Sequence, residues 1–289
     1  MTGVSGGAWA ALAYTFANNA SVPDETLLGP ITDPANLTKA GLAQMDDACL
    51  CSGPVRRDLN AELLKAIQRL SNGSDAEAWH EAVRSVFMAP FNITDDIGVA
   101  PSAAWAANAR ARNPSLGPLL TPRVDRPFPI TTATLLCPVA AAPLARKDRN
   151  FTALEMTPLY GGQPYTQQLT YMRQGGQLNV TRTLGGFIES FAFGAYPQDA
   201  APGSIPAPQQ QLVFARPARN MTLTAPRMAS MSSYAESYDI AKLPPPIFKH
   251  LLPQVPLYSP ASGTLGPVLT SDGGNVMYFD VFSLVLVCR

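Results

Sequence analysis

Charge is scarce in this 289-residue chain: Asp, Glu, Lys and Arg make up 15% of it and cancel to a formal net charge of zero. A basic face that would hold nucleic acid or an anionic membrane by electrostatics is therefore not expected. Histidine is scarcer still, with only His80 and His250. Four cysteines (Cys49, Cys51, Cys137, Cys288) allow one or two disulfides. Cys49 and Cys51 are too close to pair comfortably with each other, so a bridge is expected to reach Cys137 or Cys288. The Cys-x-Cys spacing and two distant histidines speak against zinc, and no metal or cofactor is expected. The apolar run Val276 to Val287 holds Asp280 and is too short to span a bilayer, so no transmembrane segment is expected. Internal repeats are missing, and no signal peptide is visible.

Proline, in contrast, is abundant: 28 residues is about double the usual share, while apolar content is ordinary at 46%. This combination fits a globular chain with long, stiffened loops. Seven of the asparagines (Asn19, Asn36, Asn72, Asn92, Asn150, Asn179 and Asn220) open N-x-[ST] sequons. Chance predicts about 1.6 from the Asn, Ser and Thr content, so the excess points to glycosylation in the secretory pathway. The expected location is secreted or luminal, for example a lysosome or vacuole.

The chain is organised around its first residues. Gly3-Val4-Ser5-Gly6-Gly7 fits the G-x-S-x-G nucleophile elbow, a sharp strand-to-helix turn whose flanking glycines avoid clashes that a Cβ would cause. Ala8 to Ala17 follows as an apolar run, with Trp9, Leu12, Ala13 and Phe16 on one helical face. Ser5 then sits at the positive end of a helix dipole, where an alkoxide or oxyanion is favoured. Only Met1 and Thr2 stand where a lead-in strand belongs, so the chain is expected to begin inside its domain.

A serine nucleophile needs a base. His80 is expected on the solvated face of a helix and His250 in a proline-rich loop, and neither fits the chain order of a Ser-His-Asp triad. Asp272, in Ser271-Asp272-Gly273-Gly274 after an apolar strand, is the better candidate: a desolvated carboxylate aimed at the serine can take its proton.

Between these ends, Asp58 to Leu70 predicts an amphipathic helix, and Ser74 to Glu77 a capping box opening a second helix through Trp79, Val83, Val86 and Phe87. Residues 100 to 130 predict mostly extended loop, Ile130 to Val139 a strand, and Asn150 to Gly162 a strand running into a turn. Leu184 to Tyr196 reads as an acyl-pocket wall or as core. Met221 to Ser237 predicts a short strand and a helix, and Pro244 to Pro267 a polyproline-like loop. Gly266 to Ser271 is expected to pair with Val276 to Val287.

Three short segments together, Gly3 to Trp9 (GVSGGAW), Leu154 to Gly161 (LEMTPLYG) and Ser271 to Gly274 (SDGG), resemble motifs of the patatin-like and cytosolic phospholipase A2 superfamily, closest to its lysophospholipase branch. The resemblance implies an α/β fold with a central, mostly parallel sheet and the elbow at one strand end. It implies a single, partial catalytic domain over residues 1–289, with a helical and loop insertion at about 20–130. It also implies hydrolysis of acyl esters in phospholipids or lysophospholipids, at a membrane or micelle surface, through an acyl-serine intermediate. Ser5 would be the nucleophile, Asp272 the base and the Gly6 amide one oxyanion donor. The oxyanion loop and phosphate-binding arginine of that branch have no counterpart in the sequence. The rival expectation is a catalytically inactive, luminal lipid-binding glycoprotein of the same fold.

Overall fold

The structure is a computed structural model that describes residues 1–17, 23–71, 77–114, 116–145, 150–175, 179–193, 222–235, 239, 241–242 and 254–275. Its strands are β1 (Thr2–Val4), β2 (Gly98–Val99), β3 (Leu119–Leu120), β4 (Ile130–Pro138), β5 (Thr152–Met156), β6 (Tyr160–Met172), β7 (Asn179–Glu189), β8 (Gln254–Ser259) and β9 (Thr264–Ser271). The α-helices are α1 (Gly6–Phe16), α2 (Asp24–Leu28), α3 (Lys39–Ala43), α4 (Ser52–Arg56), α5 (Leu59–Ser71), α6 (Ala78–Val83), α7 (Ala103–Arg112) and α8 (Ala225–Ser232).

Threonines and apolar residues dominate β4 (ITTATLLCP), whose inner positions are fully buried, as suits a strand packed on both sides. Around it the main sheet runs β7-β6-β5-β4-β9-β8, with every neighbouring pair antiparallel. The outer strands curl toward one another. Ala261 N–H donates to Gly185 O at 3.0 Å and Ser259 Oγ to Thr183 O at 3.1 Å, so the sheet is nearly a closed barrel.

This overturns the α/β fold with a mostly parallel sheet, and with it the patatin-like resemblance that implied it. Parallel neighbours need a crossover of a dozen or more residues. Here Thr157 to Leu159 turn β5 into β6, and Pro260 to Gly263 turn β8 into β9, which leaves only antiparallel pairing open. The LEMTPLYG segment is itself such a hairpin: Thr157 Oγ1 accepts from Leu159 N–H at 3.1 Å and Tyr160 N–H at 2.9 Å. Among the described residues, parallel pairing is confined to β1 with β4 and β2 with β3.

Other segments also depart from expectation. Residues 103–112 form α7, because Ser102 Oγ caps the Trp105 N–H at 3.2 Å and an alanine-rich run follows. Residues 254–267, expected as loop, lie largely within the β8–β9 hairpin, where Pro256 stands opposite Pro267 and the missing N–H groups fall on one rung. The predicted helix at Asp58 to Leu70 is α5. The second helix is α6 prolonged by a π-turn, Arg84–Met88. Of its capping box, Ser74 to Ala76 fall outside the described residues, and Glu77 precedes α6 without a side-chain cap bond. The Val276 to Val287 strand, residues 194–196 and Cys288 also fall outside the described residues.

Helix α1 buries Ala8, Leu12 and Phe16 in the main core together with Met228 and Met231 of α8. Leu184, Ile188, Phe191 and Phe193 of the Leu184 to Tyr196 segment belong to that same core, while Phe187 is exposed. Among the described residues, no helix is long and apolar enough to cross a membrane.

Candidate active site

The site is built on one edge of β4. On its other edge β5 occupies Thr131 to Leu135. The free edge is shared by two strands that approach from opposite ends. β1 runs parallel and ends with Val4 opposite Thr132, while β9 runs antiparallel and ends with Ser271 opposite Thr134. The next residue of each chain segment, Ser5 and Asp272, is delivered into the same gap. Ser5 Oγ donates to Asp272 Oδ2 at 2.5 Å. Thr2 to Val4 thus supplies a lead-in strand, though only three residues long.

Ser5 has φ 55° and ψ −133°, a left-handed conformation rare for a residue with a Cβ. Such a conformation costs on the order of 1–3 kcal/mol and persists only where its surroundings over-determine it. Ser232, the last residue of α8, does this: Ser5 N–H donates to both Ser232 O and Ser232 Oγ at 3.1 Å. Ser232 Oγ in turn donates to Thr132 O at 2.7 Å, tying α8 to the rung where β1 ends. The tight turn explains Gly3. A Cβ there would stand 2.9 Å from both Ala8 Cα and Gly7 O. Gly6 opens α1, so its N–H has no acceptor within the helix and is available to an oxyanion.

Asp272 is held on every side. Its N–H donates to Tyr234 O at 3.1 Å, and its carbonyl accepts from Thr134 Oγ1 at 2.7 Å. The two carboxylate oxygens have separate tasks: Oδ1 accepts the Gly274 N–H at 2.7 Å, while Oδ2 faces Ser5. The side chain is 7% exposed, so little water competes for it. Gly273 is required because a Cβ would lie 2.0 Å from Thr132 O. Glycine's value at this strand end is therefore a backbone approach, as the sequence suggested.

His80 is buried, 8% exposed, and not on a solvated face. Its Nδ1 meets Ser230 Oγ at 2.8 Å and its Nε2 meets Asp95 Oδ1 at 3.0 Å, so both nitrogens are committed to partners other than Ser5 and Asp272. Burial pushes the Asp95 carboxyl up. The hydrogen bond and charge of His80, with Arg227 and Arg84, outweigh it and hold the group below its ordinary value. This cluster and the Trp79 Nε1 bond to Ser230 O at 3.2 Å fasten α6 to α8, and so to Ser232. His250 lies outside the described residues.

Of the sequon asparagines, Asn92, Asn150 and Asn179 are exposed. Asn36 lies in a 3-10 turn, and Asn19, Asn72 and Asn220 lie outside the described residues. Among the described residues no disulfide joins Cys49 or Cys51 to Cys137: Cys49 and Cys51 are thiols beside each other, and Cys137 is buried on β4. No group of three or more His, Cys, Asp or Glu there could hold a metal ion.

Sequence reasoning reached Ser5, Asp272 and their glycines but missed Ser232, Thr132, Thr134 and Tyr234. A lone serine or threonine inside a helix or strand carries no local signal of such a role. Comparison with protein-family models, curated proteins and solved structures returns no match to this chain.

Proposed function

We propose that this chain carries a serine acyl-hydrolase site with Ser5 as nucleophile and Asp272 as general base. The observation that supports it is the 2.5 Å contact between Ser5 Oγ and Asp272 Oδ2 at a left-handed serine that opens a helix. In the proposed reaction the Ser5 proton passes to Asp272 Oδ2 as Oγ bonds to the ester carbonyl carbon. The carbonyl oxygen takes the negative charge, and the Gly6 N–H at the start of α1 is one donor placed to receive it. Collapse of the tetrahedral adduct expels the alcohol, which takes the proton from Asp272 and leaves an acyl-serine. Water then gives a proton to Asp272, attacks the acyl carbon and releases the acid, and the proton returns to Ser5.

Phospholipids and lysophospholipids are the esters proposed for the test; the chemistry of the site asks only for an acyl ester. The sequon excess supports a secreted or luminal setting. The test is hydrolysis of lysophospholipid micelles and of a short-chain aryl ester by the purified chain, with Ser5→Ala and Asp272→Asn in parallel. Turnover lost in both variants is the expected result. Aryl-ester cleavage without lipid cleavage would keep the site and discard the lipid substrate. Undiminished turnover in either variant would discard the site.

A further inference from the structure

Cys49 and Cys51 flank Leu50 on the turn that leads into α4, far in sequence from the Ser5 site. Their sulfurs stand 2.7 Å apart. Nonbonded heavy atoms rest at about 3.5–4.0 Å, and sulfur is larger than carbon, so two separate thiols are crowded at this distance. A disulfide, with its sulfurs about 2.0 Å apart, is the nearer state. A single intervening residue made this pairing unexpected from the sequence, yet the turn brings the two sulfurs together. We propose that Cys49 and Cys51 form a redox couple that closes reversibly to a disulfide within this turn.

The backbone holds the pair in place. Cys49 N–H donates to Asp46 O at 2.9 Å, and Ser52 N–H donates to Cys49 O at 3.1 Å. Cys49 to Ser52 is therefore a hydrogen-bonded turn that folds Cys51 back beside Cys49. Ser52 Oγ donates to the same Cys49 O at 2.9 Å, and Leu50 N–H donates to Leu27 O at 2.8 Å. Two neighbours pack on both sulfurs. Met45 Sδ lies 3.9 Å from Cys49 Sγ and 3.5 Å from Cys51 Sγ. A Cβ on Gly29 would stand 3.0 Å from Cys49 Sγ and 3.6 Å from Cys51 Sγ, so the glycine leaves the room that the pair occupies.

The oxidant is a small-molecule disulfide such as oxidised glutathione. Cys51 is half-buried and Cys49 is buried, so the reagent meets Cys51 first. The Cys51 thiolate attacks one glutathione sulfur, expels a reduced glutathione and keeps the other half as a mixed disulfide. The Cys49 thiolate then attacks Cys51 Sγ and expels the second reduced glutathione. Two protein thiols lose two electrons, and one glutathione disulfide gains them to become two thiols. Burial, followed by the Cys49 contact, pushes the Cys51 thiol up to about 11, so the first step is slow at neutral pH. The second step is intramolecular and gains from the proximity that the turn imposes. The exposed part of Cys51 leaves the closed bridge open to reductant by the reverse path.

The experiment equilibrates the folded chain with mixtures of oxidised and reduced glutathione, traps free thiols with a maleimide under denaturing conditions and digests with trypsin. Ala40 to Arg56 carries both cysteines in one tryptic peptide. Excess oxidised glutathione should give that peptide two hydrogen masses light and without maleimide. Excess reduced glutathione should give it with two maleimides. Cys49→Ser should hold one glutathione on Cys51, because no second thiol is beside it to expel the adduct. The outcome is independent of the Ser5 chemistry. Two maleimides, or two glutathiones, on the wild-type peptide in excess oxidised glutathione would overturn the proposal. A cross-link from either cysteine to Cys137 or Cys288, or a bridge that reduced glutathione opens only after denaturant is added, would do the same.

Discussion

Thr132 and Thr134 stand two residues apart on β4, and each marks the last rung of a different strand: Val4 of β1 lies opposite the first and Ser271 of β9 opposite the second. The two rungs are about 7 Å apart along the strand. Ser5 and Asp272, one residue beyond each rung, close that gap with their side chains. Opposed strand directions are essential, because strands running the same way would not end facing each other. Both threonines also help hold the ends: Thr132 O accepts from the hydroxyl of Ser232, which itself accepts from Ser5 N–H, and the Thr134 hydroxyl donates to Asp272 O.

The first prediction concerns that gap. Gly273→Ala puts a methyl 2.0 Å from the Thr132 carbonyl, a backbone atom that cannot move aside cheaply. Overpacking of this kind costs about 1–3 kcal/mol, and here the relief would displace Asp272. Chemical denaturation should show the loss, accompanied by loss of ester turnover. Gly7→Ala is the control: no atom lies within 4 Å of its added Cβ, and alanine favours the helix. It should be neutral or stabilising by up to about 1 kcal/mol.

The second prediction concerns strain at Ser5. If the left-handed backbone is imposed on a residue that resists it, Ser5→Gly should be more stable than Ser5→Ala by about 1 kcal/mol, although both lack the hydroxyl. Denaturant midpoints compare the two. Equal stability would mean that Ser5 is not strained.

The local signals in the sequence read correctly where the chemistry is local. Gly3 before Ser5 and Gly273 after Asp272 mark backbone contacts that a Cβ would block, whereas Gly6 and Gly7 do not, and the pairing of the two residues was expected from their strand ends. The sheet was misread because the motifs say how a strand ends and nothing about its neighbours. Direction is decided by the length of the connections, such as the three-residue turn between β5 and β6. Ser232 was invisible for a related reason: its partners, Ser5 and Thr132, lie 227 and 100 residues away. His80 was misplaced because its helix buries it between Ser230 and Asp95, partners no periodicity announces.

That His80 cluster sets a pH dependence. Asp95 is held below its ordinary value in the folded chain, against the opposing effect of burial, by His80, Arg227 and Arg84. The stabilisation is full above the unfolded carboxyl's pKa, about 3.9, and is lost as pH falls through the lower folded value. Between pH 5 and pH 2 the wild type should therefore lose more stability than Asp95→Asn. Parallel loss in the two would remove Asp95 from the account.

Glycosylation is testable at a described position. Asn92 is exposed, with φ 56° in a left-handed turn that asparagine tolerates well. Asn150, by contrast, spends its Nδ2 on Thr170 O at 2.6 Å. Expressed through a eukaryotic secretory pathway, the chain should shrink on amidase treatment, and Asn92→Gln should remove one glycan mass. No shift on amidase treatment would reject the secretory reading.

The central claim is that Asp272 activates Ser5, and covalent labelling reads this without a choice of substrate. The chain is treated with a fluorophosphonate that reacts only with activated serines, and the labelled peptide is located by mass. The account predicts one label, on Ser5, in the wild type, and none in Ser5→Ala. Asp272→Asn should label at least 100-fold more slowly, and the double variant, which lacks the hydroxyl, not at all. Labelling of Asp272→Asn at the wild-type rate, or a label on any residue other than Ser5, would contradict it.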